Sequence, residues 1–222
     1  MKDNVSAFNA AEYDKKVKKT IPYYDEFYRQ VIDITKTLFD KPLKWLDLGC
    51  GTGKMAELAL KSLNIESFVF WDNSVQMLET AKQRFQGSNT EFLLASALDL
   101  NRIEEVDVIT AIQVLHYFHE NERSDVISRS YKALSSPGIF ISFENFAPYS
   151  ETGKQILLNR WKKYQLSQGG SPIECDKHIA RYGKAYFPIT ISEHLQTLHQ
   201  CGFKNAEIIW VSNLQAGFLG IK

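Results

Sequence analysis

From Leu43 onward, short apolar runs alternate with stretches whose apolar residues recur at helical spacing. The runs Leu43–Leu48, Ser67–Asp72, Glu91–Leu94, Val106–Ile112 and Ile139–Glu144 predict strands. Between them, helices are predicted near Lys54–Ser62, Ser74–Phe85 and Glu120–Leu134. Strand and helix in alternation imply a parallel sheet with crossover helices. Strands that read as continuous apolar runs, such as Val106-Asp107-Val108-Ile109, imply cover on both faces. After the fifth strand the pattern changes. Thr152–Gln168 predicts a helix, Gly169-Gly170-Ser171-Pro172 breaks it, and an irregular aromatic stretch follows over Ile179–Pro188. Thr190 and Glu193 are spaced as a capping box, so a helix is predicted from Ile191 to about Cys201, with Gly202 as its stop. Phe203–Val211 and Gln215–Ile221 then read as an antiparallel pair. Upstream, Ala10–Phe39 reads as helical with a break near Ile21-Pro22.

The expected architecture is one α/β domain over 1–222. It has a helical cap (1–42), a ligand-binding core (43–148), a lid insert after strand five (149–189) and a closing helix with antiparallel strands (190–222). At 222 residues and 44% hydrophobic, the chain suffices for one sizeable core without covalent staples. Lys plus Arg (26) equals Asp plus Glu (26), so no global field recruits nucleic acid or anionic lipid. Cys50, Cys175 and Cys201 are odd in number and far apart, which argues against a disulfide framework. With no apolar signal region and no run of 18 apolar residues, the expected location is cytoplasmic, away from membranes.

The chemistry concentrates at Trp45-Leu46-Asp47-Leu48-Gly49-Cys50-Gly51-Thr52-Gly53, which leaves a strand and opens a helix. Glycines there permit a sharp turn and a close approach to a ligand, and the helix start beyond offers free N–H groups. Lys54 stands where a dinucleotide fingerprint wants its third glycine. Asp47 would repel a pyrophosphate but suits a ligand bearing an ammonium group and a sulfonium. Asp72, at the end of the second strand and about 20 residues beyond the glycines, fits an acid that accepts from ribose hydroxyls. The competing role at Asp72, Asn73 and Ser74 is a helix N-cap, and both roles can hold together if Ser74 caps.

In that context Leu46–Gly53 resembles motif I of the Class I S-adenosylmethionine-dependent methyltransferases, with a Rossmann-like seven-stranded, mostly parallel sheet. Asp72 is similar to their ribose acid, and Ser74, Met77 and Leu78 to the segment after it. Ala95-Ser96-Ala97-Leu98-Asp99-Leu100 resembles the adenine segment, with Ser96 in place of the usual aspartate. Ala111-Ile112-Gln113-Val114-Leu115-His116-Tyr117-Phe118 resembles motif IV, and Leu134–Gly138 the turn before strand five. The resemblance implies S-adenosyl-L-methionine as cofactor, held by Asp47, Gly49, Cys50, Gly51, Gly53, Asp72, Asn73, Met77, Ser96, Ala97, Ile112 and Gln113. A patchier likeness over nearly the whole chain is to the bacterial carboxy-S-adenosylmethionine synthases of tRNA wobble-uridine modification, whose carboxyl source is prephenate. It rests on Lys19–Tyr24, Asp72–Ser74, His199–Phe203 and Gln215–Phe218. It implies that Tyr24 reaches the methionyl end of the cofactor and that Arg181, after a shift in alignment, lies near an arginine that holds the extra carboxylate.

The expected reaction is methyl transfer to a small-molecule acceptor. Its rivals are carboxy-S-adenosylmethionine synthesis and non-catalytic cofactor binding in a partner subunit. If a proton must leave the acceptor, His116, Glu144 and Tyr182 are the candidate bases. His116 either contacts substrate or caps the following loop. His116 and His119, three apart, lack a third ligand, so no metal is expected. Trp161, Tyr164, Tyr182, Tyr186 and Phe187 form either a lid or the packing of the insert, with Trp161, Arg181 and Tyr186 the expected substrate contacts. Lys15, Lys16, Lys18 and Lys19 read as a solvated helix face, so nucleic acid is not a favoured partner. A monomer or a homodimer is expected.

Overall fold

The computed structural model describes residues 6–87, 89–101, 103 and 105–222. Two helices come first, α1 (Ala10–Thr20) and α2 (Tyr24–Leu38). Asn9 caps α1 by accepting the Glu12 N–H at 3.0 Å. Pro22 lies in the break, where Tyr23 adopts φ 57°. The rest alternates as β1 (Leu43–Leu48), α3 (Lys54–Ser62), β2 (Ile65–Asp72), α4 (Val75–Arg84), β3 (Thr90–Leu94), β4 (Val106–Ile112), α5 (Glu120–Ala133) and β5 (Leu134–Asn145). Three helices follow, α6 (Glu151–Ser167), α7 (Pro172–Ile179) and α8 (Ile191–Gln200), and then β6 (Asn205–Ser212) and β7 (Gln215–Ile221).

The strands form one seven-stranded sheet in the order β3-β2-β1-β4-β5-β7-β6. The first five are parallel, and β7 runs antiparallel between β5 and β6. Strand order reverses between β1 and β4, and at such a switch point a crevice opens beyond the carboxyl ends. Period-two alternation then separates the core into two layers. Trp45, Phe68, Val108 and Ile141 pack on the face covered by α2 and α3. Leu46, Leu48, Ile109 and Phe140 pack on the opposite face, against α5 and the Leu198 side of α8. Within the first layer the Trp45 indole N–H donates to Thr110 Oγ1 at 3.0 Å.

The predicted elements recur with ends moved by a few residues, except in two places. β5 begins at Leu134 rather than Ile139, because Leu134 pairs with Val106 before the register shifts. The segment after Gly170 is helical, not simply broken. Ser171 Oγ accepts the Glu174 N–H, Glu174 reaches back, and Pro172 occupies the first turn, which together start α7.

The insert is bound to the N-terminal helices over the sheet's carboxyl edge. The Trp161 indole N–H donates to the Thr20 carbonyl at 2.7 Å, and the Tyr164 hydroxyl to that of Lys18 at 2.9 Å. Arg123 ties α5 to the same roof through the carbonyls of Leu115, Phe118 and Phe187. Among the described residues, no helix is long and apolar enough to cross a membrane.

Candidate active site

The loop after β1 turns because Gly49, Gly51 and Gly53 all take positive φ (65°, 54° and 87°). The N–H groups of Gly49 and Cys50 both donate to the Trp71 carbonyl, which closes the loop onto β2. The glycines then differ. A methyl group added at Gly51 would meet nothing within 4 Å, so this backbone faces open cleft. At Gly53 it would meet Phe85 at 2.5 Å, and at Gly49 the Val114 side chain at 2.4 Å. Gly53 packs behind the loop, where any side chain would clash. The reason is that its Cβ direction points into the aromatic layer of Phe70 and Phe85.

Beside the loop, Asp72 links two turns. Its carboxylate accepts from Gly51 N–H at 2.8 Å and from Ser74 N–H at 2.9 Å. Ser74 is the α4 cap, with its hydroxyl accepting the Met77 N–H at 3.1 Å. Asp72 still borders a cleft of about 180 Å3, whose wall includes Gly49, Gly51, Asn73, Met77, Ala97, Ile112 and Gln113. Ser96 is placed otherwise. Its hydroxyl accepts the Leu98 N–H at 3.3 Å and its backbone N–H donates to Asp99, so it caps a short 3-10 turn. Ala95 and Ala97 form the wall there instead.

Asp47 lies at the other end of the loop, buried, and accepts from Thr110 Oγ1 at 2.7 Å. Burial pushes its carboxyl up to about 7, against the pull of that hydrogen bond, and neighbouring Asp72 pushes the same way. Cys50, Tyr24 and Tyr28 share this recess, with the two phenols 2.5 Å apart. Tyr13 belongs to the same cluster and borders the cleft, the recess and a third chamber at once. Burial raises all three phenols far above the ordinary tyrosine value, so they stay protonated hydroxyl donors.

The third chamber lies beneath α6, α7 and the segment that follows, bordered by His116, Gln113, Asn145, Trp161, Arg181 and Tyr186 among others. Gln113 takes φ 61°, held by its N–H to the Phe143 carbonyl at 2.7 Å. His116, 2% exposed, has Nδ1 2.5 Å from Glu144 Oε2, and the Asn145 side-chain amide stands 3.4 Å from Nε2. A carboxylate at Nδ1 selects the tautomer with the proton there, leaving a lone pair on Nε2. The same carboxylate accepts the backbone N–H groups of Leu115 and His116, each at 3.0 Å. Glu144 thus accepts hydrogen bonds on both oxygens and stands behind the histidine.

Tyr182 stands beside Tyr186, packed against it from outside, under the Lys154 ammonium, and burial, then Glu151, pushes its phenol up to about 12. Tyr186 does face the chamber. Its hydroxyl is buried and has no hydrogen-bond partner among the described residues. Burial raises the neighbouring Tyr117 phenol, while the charge of Arg181 and a hydrogen bond from it pull the other way. His178, on the same wall, is pushed down to about 4 by burial and then by Arg181.

Tyr13, Asn145 and His178 went unnoticed in the sequence, and Tyr117 was read only as part of the run Ala111–Phe118. Tyr13 could have been suspected from its place four residues before Val17 on an amphipathic helix, but nothing local marks it as more than core. Among the described residues, no cluster of three or more potential metal ligands occurs.

A seven-stranded sheet with β7 antiparallel, a glycine loop after β1, an acid closing β2 and a cleft at the β1/β4 switch point define the Class I S-adenosylmethionine-dependent methyltransferase fold. The family described as Methyltransferase domain matches residues 46–138, the stretch that carries the glycine loop and Asp72, and the fold is that of proteins whose cofactor is S-adenosyl-L-methionine. Along nearly its whole length it is similar to curated carboxy-S-adenosyl-L-methionine synthases. The one from Nautilia profundicola is 26% identical over 216 residues, 96% of this chain and 92% of its relative. That from Staphylococcus epidermidis is 22% identical over 96% of this chain and 93% of its own. Among solved structures, the plantazolicin methyltransferase BamL has a TM-score of 0.68 at 15% identity, covering 96% of this chain and 89% of BamL.

Proposed function

We propose that the protein transfers a methyl group from S-adenosylmethionine to a small-molecule acceptor, with His116 as proton acceptor. The observation that carries this reading is the buried His116–Glu144 pair in the wall of the chamber next to the cofactor cleft. When bound, S-adenosylmethionine supplies a methyl carbon already activated by a sulfonium. The residues have three tasks: to hold, to align and to take a proton.

Asp72 and the open backbone at Gly51 suit the sugar, and Asn73, Met77, Ala97 and Ile112 wall the apolar end. Asp47, with the phenols of Tyr13, Tyr24 and Tyr28, suits the aminoacyl end. The fit is supported by the open space at Gly51 and by a buried carboxyl whose pKa a cationic neighbour would lower again. Gln113 lies between the cleft and the chamber, bordering both. On the acceptor side, His116 Nε2, which faces the Asn145 side-chain amide at 3.4 Å, would exchange that contact for the acceptor and take its proton as the acceptor's heteroatom gains the methyl group and S-adenosylhomocysteine leaves. Glu144 then faces an imidazolium at 2.5 Å, a stabilised ion pair shielded from water. Glu144 is a positioning residue in this scheme. Trp161, Arg181 and Tyr186 contact the acceptor.

The test is release of S-adenosylhomocysteine from purified protein supplied with S-adenosylmethionine and a small-molecule cell extract. His116→Gln should abolish release while retaining S-adenosylhomocysteine binding. Unchanged turnover in that variant would overturn the role of His116, and no binding of either cofactor form would overturn the whole reading.

A second reading has its own support. Arg181 places a cation beside Tyr117 in the chamber wall, a setting that suits a carboxylate, and the curated relatives are carboxy-S-adenosyl-L-methionine synthases. Incubation with prephenate and S-adenosylmethionine separates the two. We expect no carboxylated sulfonium; its accumulation, lost in Arg181→Ala, would replace methyl transfer by carboxylation and leave the fold and cofactor unchanged.

A further inference from the structure

The lid has a second, larger opening. Between α1 and the α6–α7 pair runs a cleft of about 700 Å3, which joins the chamber through the shared residues Phe8, Thr20, His178 and Arg181. That size lies in the range of small-molecule sites. We propose that this cleft is the acceptor's docking groove and that it takes a small, elongated polyanion carrying phosphate or carboxylate groups. The proposal rests on the methyl-transfer reading for the acceptor's role, but its binding chemistry stands on the groove alone.

Charge makes the first argument. Lys15 and Lys19, one turn apart on α1, line one wall, and Lys177 and Arg181, four apart, line the other. Lys15 and Lys19 are like charges at i, i+4 spacing on one helix, which repel unless an anion lies between them. None of Lys15, Lys19 and Lys177 has a carboxylate within ion-pair distance among the described residues, whereas their neighbours Lys16 and Lys18 do, in Glu12 and Asp25. Two acids also border the groove: Glu12, paired with Lys16 at 3.0 Å, and Glu174, which accepts from the Ser171 hydroxyl at 2.7 Å and feels the charges of Lys16 and Lys177. The cations Lys15, Lys16, Lys19, Lys177 and Arg181 outnumber them, so the groove is net positive, which revises the reading of the α1 lysines as a solvated helix face.

A second observation is independent of charge. Gln165, 5% exposed, lies in the groove, and its side-chain nitrogen has no hydrogen-bond partner among the described residues. A buried donor left unmade is costly, and it is found where a ligand completes it. An anionic oxygen satisfies both that donor and the surrounding ammonium groups. Gly169, with φ 85° and nothing within 4 Å of an added Cβ, keeps that end open. A bounded cleft on a chain of zero net charge favours a small molecule over RNA, whose binding needs an extended basic field.

The test uses calorimetry on the full-length protein with tripolyphosphate and, separately, citrate at low salt. At least one should bind, and the tighter of the two identifies the anionic group. Lys15→Glu with Lys19→Glu should weaken that binding about tenfold. Gln165→Leu, which keeps the volume and removes the donor, should weaken it about fivefold. Both variants should bind S-adenosylhomocysteine like the unmodified protein, which verifies their folding and keeps failure here distinct from failure of the methyltransferase reading. The proposal is overturned if neither anion binds, if the charge reversal leaves binding unchanged, if S-adenosylhomocysteine displaces the anion, or if a short single-stranded RNA binds more tightly than both anions at physiological salt.

Discussion

Replacing Asp47 by asparagine should stabilise the free protein while weakening its hold on the cofactor. The carboxyl is 3% exposed and accepts from the Thr110 hydroxyl at 2.7 Å. Asparagine keeps the shape and an oxygen to accept that hydrogen bond, so the change removes mainly the charge. Burial raises the acid from 3.8 to about 7. At about 1.36 kcal/mol per unit, this amounts to roughly 4 kcal/mol of destabilisation once both folded and unfolded states are ionised. The sign follows from linkage. Below the unfolded value both states hold the proton and nothing is lost. As pH rises from about 4 to about 7 the unfolded chain releases its proton first, so stability falls, and above the folded value it levels off. Asp47→Asn should therefore gain about 2–4 kcal/mol at pH 8, a rise in Tm of roughly 5–12 °C, and almost nothing at pH 4. Thermal unfolding of both proteins across pH 4–8, with and without S-adenosylhomocysteine, measures it. A cationic ligand should narrow the gap, because it binds the charged aspartate protein more tightly and so stabilises it more. A variant no more stable at pH 8 than the parent, or a gain independent of pH, would refute an uncompensated buried carboxylate at the end of β1.

Three further outcomes follow from the geometry. Glu144→Gln should lower turnover more than it changes acceptor KM, and shift the pH profile, because His116 loses its anionic partner; it should also cost about 1–3 kcal/mol of stability, since the side-chain amide can no longer accept at both oxygens. Tyr186→Phe should match or exceed the parent in stability by about 1 kcal/mol, because the lost hydroxyl has no partner, while steady-state kinetics show a weaker acceptor; a loss of stability would mean that the hydroxyl is bonded in the free protein. Trp161→Phe, which removes the bond to the Thr20 carbonyl, should raise hydrogen exchange in α1 and α6 and leave β1 and β4 as protected as before.

The sequence by itself determined the sheet and the glycine loop. Apolar runs such as Val106–Ile112 have one stable use, as strands buried on both faces, and Gly51 with Asp72 sits where a switch point requires it. Such signals are legible because they are local: period, capping and turn chemistry act over a few residues. The Ser171–Glu174 capping box belonged to the same kind of signal and was overlooked. What the tertiary structure decided concerns residues whose roles come from distant neighbours. Gly53 cannot carry a side chain because Phe85, 32 positions away, packs against it. Glu144 and His116 are 28 positions apart, and only the pairing of β4 with β5 makes one the support of the other. Tyr13, Lys15 and Lys19 looked like one side or another of an ordinary helix. They border a site because Trp161 and Tyr164 draw α6 over α1, across more than 140 residues of chain. Loop closure over such spans is determined by the packing of the whole core, which no short window of sequence encodes.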